Sequence, residues 1–281
     1  MTSLTSLVLN LAITERVTLP GHLGRAVYHF FLDDIAQHDE AFSQALHNNR
    51  RRKPFTCSTL IGGRRLGTNS QEFLPETAVW LRITGLTQAV STHLQRLAAE
   101  PPATAVIDRV SFQICGATLD PTVHRWAGQG SYEALASQQL SRRPATSLQL
   151  EFASPTTFRM TGTHGQKRSW PVPMPRWVFG SLYRQWNQFS PVPLDLVLPD
   201  FIDEYLVLSQ YRLSTRAIPG KGRISQMGCL GEAAYAVVAE DNWLTSQLHL
   251  LAQFAFYSGV GYQTTAGLGQ TRPLPLLPDN G

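Results

Sequence analysis

The stretch Gly259-Val-Gly-Tyr-Gln-Thr-Thr-Ala-Gly-Leu-Gly-Gln-Thr-Arg272 decides how this chain is read. Four of the eleven residues from Gly259 to Gly269 are glycine, so the backbone carries few Cβ atoms and φ is free to turn positive. Amides in such a loop approach another surface closely, which suits cradling an anionic backbone. No Gly-Lys-Ser/Thr closes the stretch, so it is not a Walker motif. It follows an apolar helical run from Trp243 to Tyr257, whereas a dinucleotide fingerprint follows a strand and opens a helix. The competing reading is a tight helix-to-strand connection that binds nothing.

Outward from the loop, the second half reads as strands and helices in alternation. Leu148 to Phe152 is a strand, and Arg176 to Phe189 is a helix with Val178, Leu182, Trp186 and Phe189 on one side. Three prolines in Trp170-Pro-Val-Pro-Met-Pro175 forbid a regular element there. Tyr205 to Arg216 and Ile224 to Ala239 are β segments, and Leu268 to Leu274 supplies a last short strand.

The first half repeats the order. Ser6 to Ile13 alternates with Leu7, Leu9, Leu11 and Ile13 on one parity, and Thr18 to His22 reads as a turn. Leu23 to Ala36 is a helix whose apolar face holds Leu23, Val27, Phe30, Phe31 and Ile35, with His22, Arg25, His29 and Asp33 opposite. Asp39 to Leu46 is a short polar helix, broken at Asn48-Asn49. Strands follow at Pro54 to Ile61 and Thr77 to Thr84, then a helix from Leu86 to Ala99. A long β segment, Val106 to Leu119, breaks near Gly116, and Tyr132 to Leu140 reads as a helix. Each half is β-α-β-β-α-β, which predicts an α+β protein of tandem ferredoxin-like domains. The expected boundaries are residues 1–140 and 141–281, with a hinge at Ser141 to Pro144.

The totals fit a globular chain. Its 281 residues are 43% hydrophobic and 16% charged. Net charge is +4 and pI about 9.1, which permits an anionic partner without demanding one. No apolar run reaches the roughly 18–20 residues of a membrane span, and no secretory leader is recognisable, so no membrane association is expected. Three widely spaced cysteines, Cys57, Cys115 and Cys229, read as free thiols of a reducing cytoplasm. The spacing of His22, His29, His38 and His47 matches no H-E-x-x-H or zinc-finger pair, and no G-x-S-x-G marks a serine hydrolase.

The pattern G-x-G-x-x-T-T-x-G-x-G-x-x-R, placed after an apolar helix near the C-terminus, resembles the signature loop of the RAMP superfamily. Further blocks make the chain most similar to the CRISPR-associated repeat-processing endoribonucleases, the "Cas six" family. They are Leu46-His47 with Lys53-Pro54-Phe55-Thr56 and Ser58, Ser154-Pro-Thr-Thr-Phe-Arg159, and Gly228-Cys-Leu-Gly-Glu232. The resemblance implies tandem ferredoxin-like domains independently of the periodicity.

It also implies a catalytic histidine in the loop after the first helix, which His47 matches. Histidine titrates near neutrality and serves either proton role in cutting RNA through its own 2′-hydroxyl. Arg50, Arg51, Arg52 and Lys53 lie within six positions and offer fixed charge to a developing phosphorane. Some relatives add a tyrosine and a lysine, for which Tyr28 and Lys53 are the candidates here. The competing reading of His47 is a surface histidine beside a solvated basic loop.

Expected RNA contacts are Arg50, Arg51, Arg52, the turn pairs Arg64-Arg65 and Lys167-Arg168, and the loop residues Gly259, Gly261, Thr264, Thr265, Gly267 and Gly269. The glycine loop is assigned to the second domain and His47 to the first. Trp170 and Trp177 read as packing residues. This chemistry requires no metal or other cofactor. The implied partner is CRISPR repeat RNA, cut to a 2′,3′-cyclic phosphate and a 5′-hydroxyl, by a monomer or homodimer. The alternatives are a non-catalytic RAMP-type subunit that grips guide RNA among other effector-complex subunits, and an unrelated phosphate-binding enzyme.

Overall fold

The computed structural model describes residues 3–49, 51–67, 69–162, 165–218 and 226–275. The chain forms two compact units, one of Met1–Ser131 with Gln263–Leu268, the other of Tyr132–Tyr262 with Gly269–Gly281.

In chain order the first unit holds β1 (Leu4–Ala12), β2 (Val17–Pro20), α1 (Gly24–Ala36), α2 (Glu40–Asn48), β3 (Phe55–Cys57), β4 (Arg64–Arg65), β5 (Ser70–Phe73), β6 (Val79–Gly85), α3 (Gln88–Ala99), β7 (Thr104–Ile107), β8 (Val110–Thr118) and β9 (Gly128–Gly130). Its main sheet runs β3-β6-β1-β8-β7, with β9 also paired to β1. Taking β1, β3, β6 and β8 as the four strands of the motif, the spatial order is second, third, first, fourth, and every pairing is antiparallel. Leu7, Leu9 and Leu11 of β1 meet Val27, Phe31 and Ile35 of α1 and Val90 and Leu94 of α3 in one core. Each such side chain contributes roughly 1.5–3 kcal/mol by leaving water.

Three details depart from the sequence reading. The Thr18 to His22 turn is a strand over Val17–Pro20, because it pairs with β5, whose residues Ser70–Phe73 lie far outside any local sequence window. The break in the long β segment falls at Asp108-Arg109, both with positive φ (51° and 69°), as a hairpin between β7 and β8 requires. Gly116 marks a register shift of β8 against β1 instead.

The second unit holds α4 (Tyr132–Leu140), β10 (Ser147–Thr156), β11 (Phe158–Thr161), β12 (Lys167–Trp170), α5 (Pro175–Phe189), α6 (Leu198–Tyr205), β13 (Leu206–Ile218), β14 (Gln226–Val237), α7 (Asn242–Ser258) and β15 (Thr271–Leu274). Its sheet runs β13-β14-β10-β15, the same spatial order as in the first unit. The central helix α7 buries residues on several faces, among them Leu244, Leu248, Leu251 and Phe254. Asp241 caps its start by accepting from the Leu244 N–H at 2.9 Å, and Gly259 ends it at φ 61°. Helix α6 and the β11–β12 hairpin lie where the sequence reading assigned no element; of the expected β segment from Ile224, residues 224–225 fall outside the described residues.

The Gly228-Cys-Leu-Gly-Glu232 block sits inside β14. Gly231 has φ +121°, and a Cβ there would lie 2.1 Å from the Arg212 carbonyl oxygen of β13. Gly231→Ala therefore incurs both a clash and a disfavoured dihedral. We expect a loss of about 1–3 kcal/mol, read as a lower midpoint in chemical denaturation; an unchanged midpoint would contradict the role given to this glycine.

Candidate functional site

The first unit gathers three side chains from three successive segments of the chain. Tyr28 points from the polar flank of α1, and His47 stands in the last turn of α2, not in a loop, because that helix continues to Asn48. Lys53 lies on the segment entering β3. The Tyr28 hydroxyl is 3.4 Å from His47 Nδ1, a long hydrogen bond. The Lys53 ammonium donates to the carbonyl of Leu46 and, at 3.0 Å, to that of His47. It also lies 5.6 Å from the centre of the Tyr28 ring, which stacks in turn on Phe55.

The chain builds this cluster from simple parts. Helix α2 has nine residues, too few to persist alone. Asp39 caps its start by accepting from the Phe42 N–H at 2.8 Å. Leu46 is buried, and the Ser43 hydroxyl donates to the Leu32 carbonyl of α1 at 2.8 Å. Lys53 supplies hydrogen to the C-terminal carbonyls that a helix leaves unpaired. Partial burial lowers the Lys53 pKa, and burial, with the Cys57 thiol adding, raises that of the Tyr28 phenol. Tyr28 is therefore a neutral donor at physiological pH. His47 itself is exposed.

A second feature of the same unit is the seat of Gln263–Leu268. Its centre is one 3₁₀ turn, Thr264–Ala266, flanked by Gln263 (φ 61°) and Gly267 (φ 90°). The Gly267 N–H donates to the Cys57 carbonyl at 3.0 Å, and Gly267 forms a parallel bridge with Ser58. A Cβ on Gly24, the first residue of α1, would lie 2.1 Å from the Ala266 carbonyl oxygen. His22 Nε2 meets that same oxygen at 2.7 Å. Sequence reasoning put His22 on a polar face and gave it no partner; the glycine at the helix start, in Gly21-His-Leu-Gly24, is the signal that something passes close by.

The expected contact residues fare differently. Gly259, Gly267 and Gly269 are buried, while Gly261, Thr264 and Thr265 are partly exposed. Within the second unit, Gly261 (φ +88°) abuts the Thr157 carbonyl and the Gly269 N–H donates to that of Pro155. The glycines thus serve close internal contacts first. Arg64 is committed to the buried Glu72, at 2.5 Å, and Glu72 also accepts from Arg16. Arg65 is exposed, and its charge, with that of Arg25, acts on His22. Arg51 is exposed, Arg52 half-buried. Arg50 and the Lys167 side chain lie outside the described residues; Arg168 is exposed on the β11–β12 hairpin.

On that hairpin Trp170 is 44% exposed, with its ring edge-on to that of Trp177 at 5.6 Å between centres. Arg159, at its other strand, donates to the Tyr262 hydroxyl at 2.8 Å and lies over that ring. Among the described residues no group of three or more His, Cys, Asp or Glu is placed to hold a metal ion. No helix among them is long and apolar enough to cross a membrane.

Two ferredoxin-like units of one strand order and a glycine-rich segment near the C-terminus define a RAMP-type fold. A family model for the CRISPR Cas6 N-terminal domain matches residues 4–136, and the model for CRISPR-associated endoribonuclease Cas6 matches residues 150–271. The chain belongs to the Cas6 family. Among solved structures it resembles the Cas6 (TTHB231) product complex, at 25% identity and TM-score 0.81, covering 98% of this chain and 100% of that one. A further structure of the TTHB231 protein is described as Thermus thermophilus Cas6. The Cas6 (TTHA0078) product complex follows at 26% identity and TM-score 0.75, covering 98% and 100%. A structure described as a RAMP protein binding different RNA substrates shares the fold at 13% identity and TM-score 0.61, covering 96% and 100%. No curated protein sequence matches.

Two outcomes test this geometry. Gly24→Ala places a methyl against the Ala266 carbonyl, so although alanine favours a helix by roughly 1 kcal/mol over glycine, the variant should melt lower than the parent; a higher melting temperature would remove the close contact from the account. For Glu72, hydrogen bonds from Arg64 and then Arg16 hold the carboxyl below its usual pKa. Its stabilising effect is present above the ordinary carboxylate pKa and is lost as pH falls through the lowered one. The gap in melting temperature between parent and Glu72→Gln should therefore narrow on acidification below about pH 4, and a gap independent of pH would refute the linkage.

Proposed function

We propose that this chain is a metal-independent endoribonuclease that cuts CRISPR precursor RNA within its repeats. The observation that carries the reading is the convergence of Tyr28, His47 and Lys53 on one exposed point of the first unit. The relatives solved as product and substrate-mimic complexes belong to the same family and support an RNA substrate.

In this reaction the 2′-oxygen attacks the adjacent phosphorus and the bond from phosphorus to the 5′-oxygen breaks. A base takes the 2′-hydroxyl proton, and an acid delivers one to the departing 5′-oxygen. The products are a 2′,3′-cyclic phosphate and a 5′-hydroxyl. His47 fills one of these proton roles. Its Nδ1 is engaged by Tyr28, which leaves Nε2 to exchange a proton with the RNA. Lys53 has three N–H donors and gives two to the helix carbonyls. The third, with the charge, serves the phosphorane oxygens. Arg51 and Arg52 follow in the same segment, and Arg65, Arg168, Thr264 and Thr265 hold the backbone elsewhere. Arg50 and Lys167 are assigned the same role from sequence alone.

Incubation with repeat-containing RNA in excess EDTA tests the proposal. The parent should cut once per repeat, and His47→Ala should lose at least about a hundredfold in rate while binding RNA as before. A 2′-deoxy nucleotide before the cut should abolish cleavage. RNA that is bound yet left intact by the parent would instead mark a guide-binding subunit, and a His47→Ala variant of full activity would displace the site.

A further inference from the structure

We infer that His22 is a positioning residue for RNA binding: its imidazole fastens Gln263–Leu268 to the start of α1 and so fixes how Thr264 and Thr265 are presented. This deepens the endoribonuclease reading and rests on it. It begins from the contact between His22 Nε2 and the Ala266 carbonyl oxygen, 2.7 Å across 244 positions of sequence. A carbonyl only accepts, so Nε2 must carry the proton. A neutral imidazole with its proton on Nε2 is the form that makes this bond while keeping added charge away from Arg25 and Arg65. Burial, with those two guanidiniums, holds the His22 pKa below its ordinary value, and the bond to Ala266 opposes this only in part.

The segment needs an outside hold. Gln263 bears a Cβ and still adopts the left-handed conformation, which side chains disfavour. The turn's own bonds are the Ala266 N–H to Gln263 at 2.9 Å and the Leu268 N–H to Gln263 at 3.4 Å, the second of these long. The Gly267 N–H to Cys57 bond anchors one side, toward β3. His22 anchors the other, from the residues that lead into α1. A Cβ on Gly267 would lie 2.9 Å from His22 Cε1, so the ring sits against the backbone it holds. Between these anchors, the side chains of Thr264 and Thr265 stay partly exposed. An apolar side chain at position 22 would pack as closely but would leave the Ala266 carbonyl without its donor.

The test compares the parent, His22→Ala and His22→Gln, whose amide nitrogen can reach the same carbonyl. Three quantities are read at neutral pH: affinity for repeat RNA blocked by a 2′-deoxy nucleotide, single-turnover cleavage at saturating protein, and hydrogen exchange of the Ala266 and Gly267 amides. His22→Ala should bind about tenfold more weakly, the worth of one hydrogen bond, cleave within about threefold of the parent once saturated, and exchange those amides faster. His22→Gln should recover most of the affinity and the protection. A His22→Ala variant with parental affinity overturns the inference, as does a His22→Gln variant no better than His22→Ala. A fall in the saturated rate as large as the fall in affinity also overturns it, since His22 would then act beyond positioning. If the parent neither binds nor cuts repeat RNA, the endoribonuclease reading fails first and this inference with it; a parent that does both, beside an unaltered His22→Ala, sinks this inference alone.

Discussion

The first unit closes only because the Ala266 carbonyl can lie against Gly24. An ideal Cβ on Gly24 would be 2.1 Å from that oxygen, well inside any tolerable contact. The start of α1, the edge at β3 and the 3₁₀ turn at Thr264–Ala266 are therefore mutually placed by the absence of one carbon atom. Glycine is a weak residue in a helix interior, but at the first position its cost is small. What it gains is a backbone-to-backbone approach that no other residue permits. The nearby hydrogen bonds, from Gly267 to Cys57 and from His22 to Ala266, have good lengths because this approach is already satisfied.

The second dependency is the end of α2. A nine-residue helix holds its last side chains steady only if both termini are satisfied. Asp39 does this at one end, and the Lys53 ammonium at the other. The residue proposed to supply positive charge to the reaction is thus also the residue that holds the backbone beneath His47. Charge and geometry are coupled in a single side chain, so the two contributions of Lys53 do not separate by simple truncation. Arg64 shows the opposite case. It reads as a phosphate contact from its position in a basic pair, yet the buried Glu72 carboxylate claims it.

Much of the fold was legible because it is periodic. The alternation of Leu7, Leu9 and Leu11 and the helical spacing of Val27, Phe31 and Ile35 give β1 and α1, and the same reasoning finds both copies of β-α-β-β-α-β. What was missed depends on distant partners. Strands β2, β4 and β5 are two to four residues long and pair only with one another. The β11–β12 hairpin carries polar residues that imitate a loop. At the site, His47 and Lys53 stood out because a basic run in a lightly charged chain is conspicuous, and family blocks flank it. The spacing alone does not fix the register of Tyr28; the helix brings its hydroxyl to 3.4 Å from His47 Nδ1. His22 had no signal of its own, since its partner is a backbone carbonyl near the other end of the chain.

The sequence position of Gln263–Leu268 has a consequence for biosynthesis. The first unit takes its last piece of wall from residues made after nearly all of the second. Domains usually fold as they leave the ribosome, N-terminal first. Here the leading half emerges with the Cys57 carbonyl, His22 and the bare face of Gly24 still waiting for partners, and it stays unfinished until Leu268 has been added. Completion of the N-terminal half therefore reports that the C-terminal half has been synthesised, and a chain truncated by early termination carries an open edge where the intact protein has a seam.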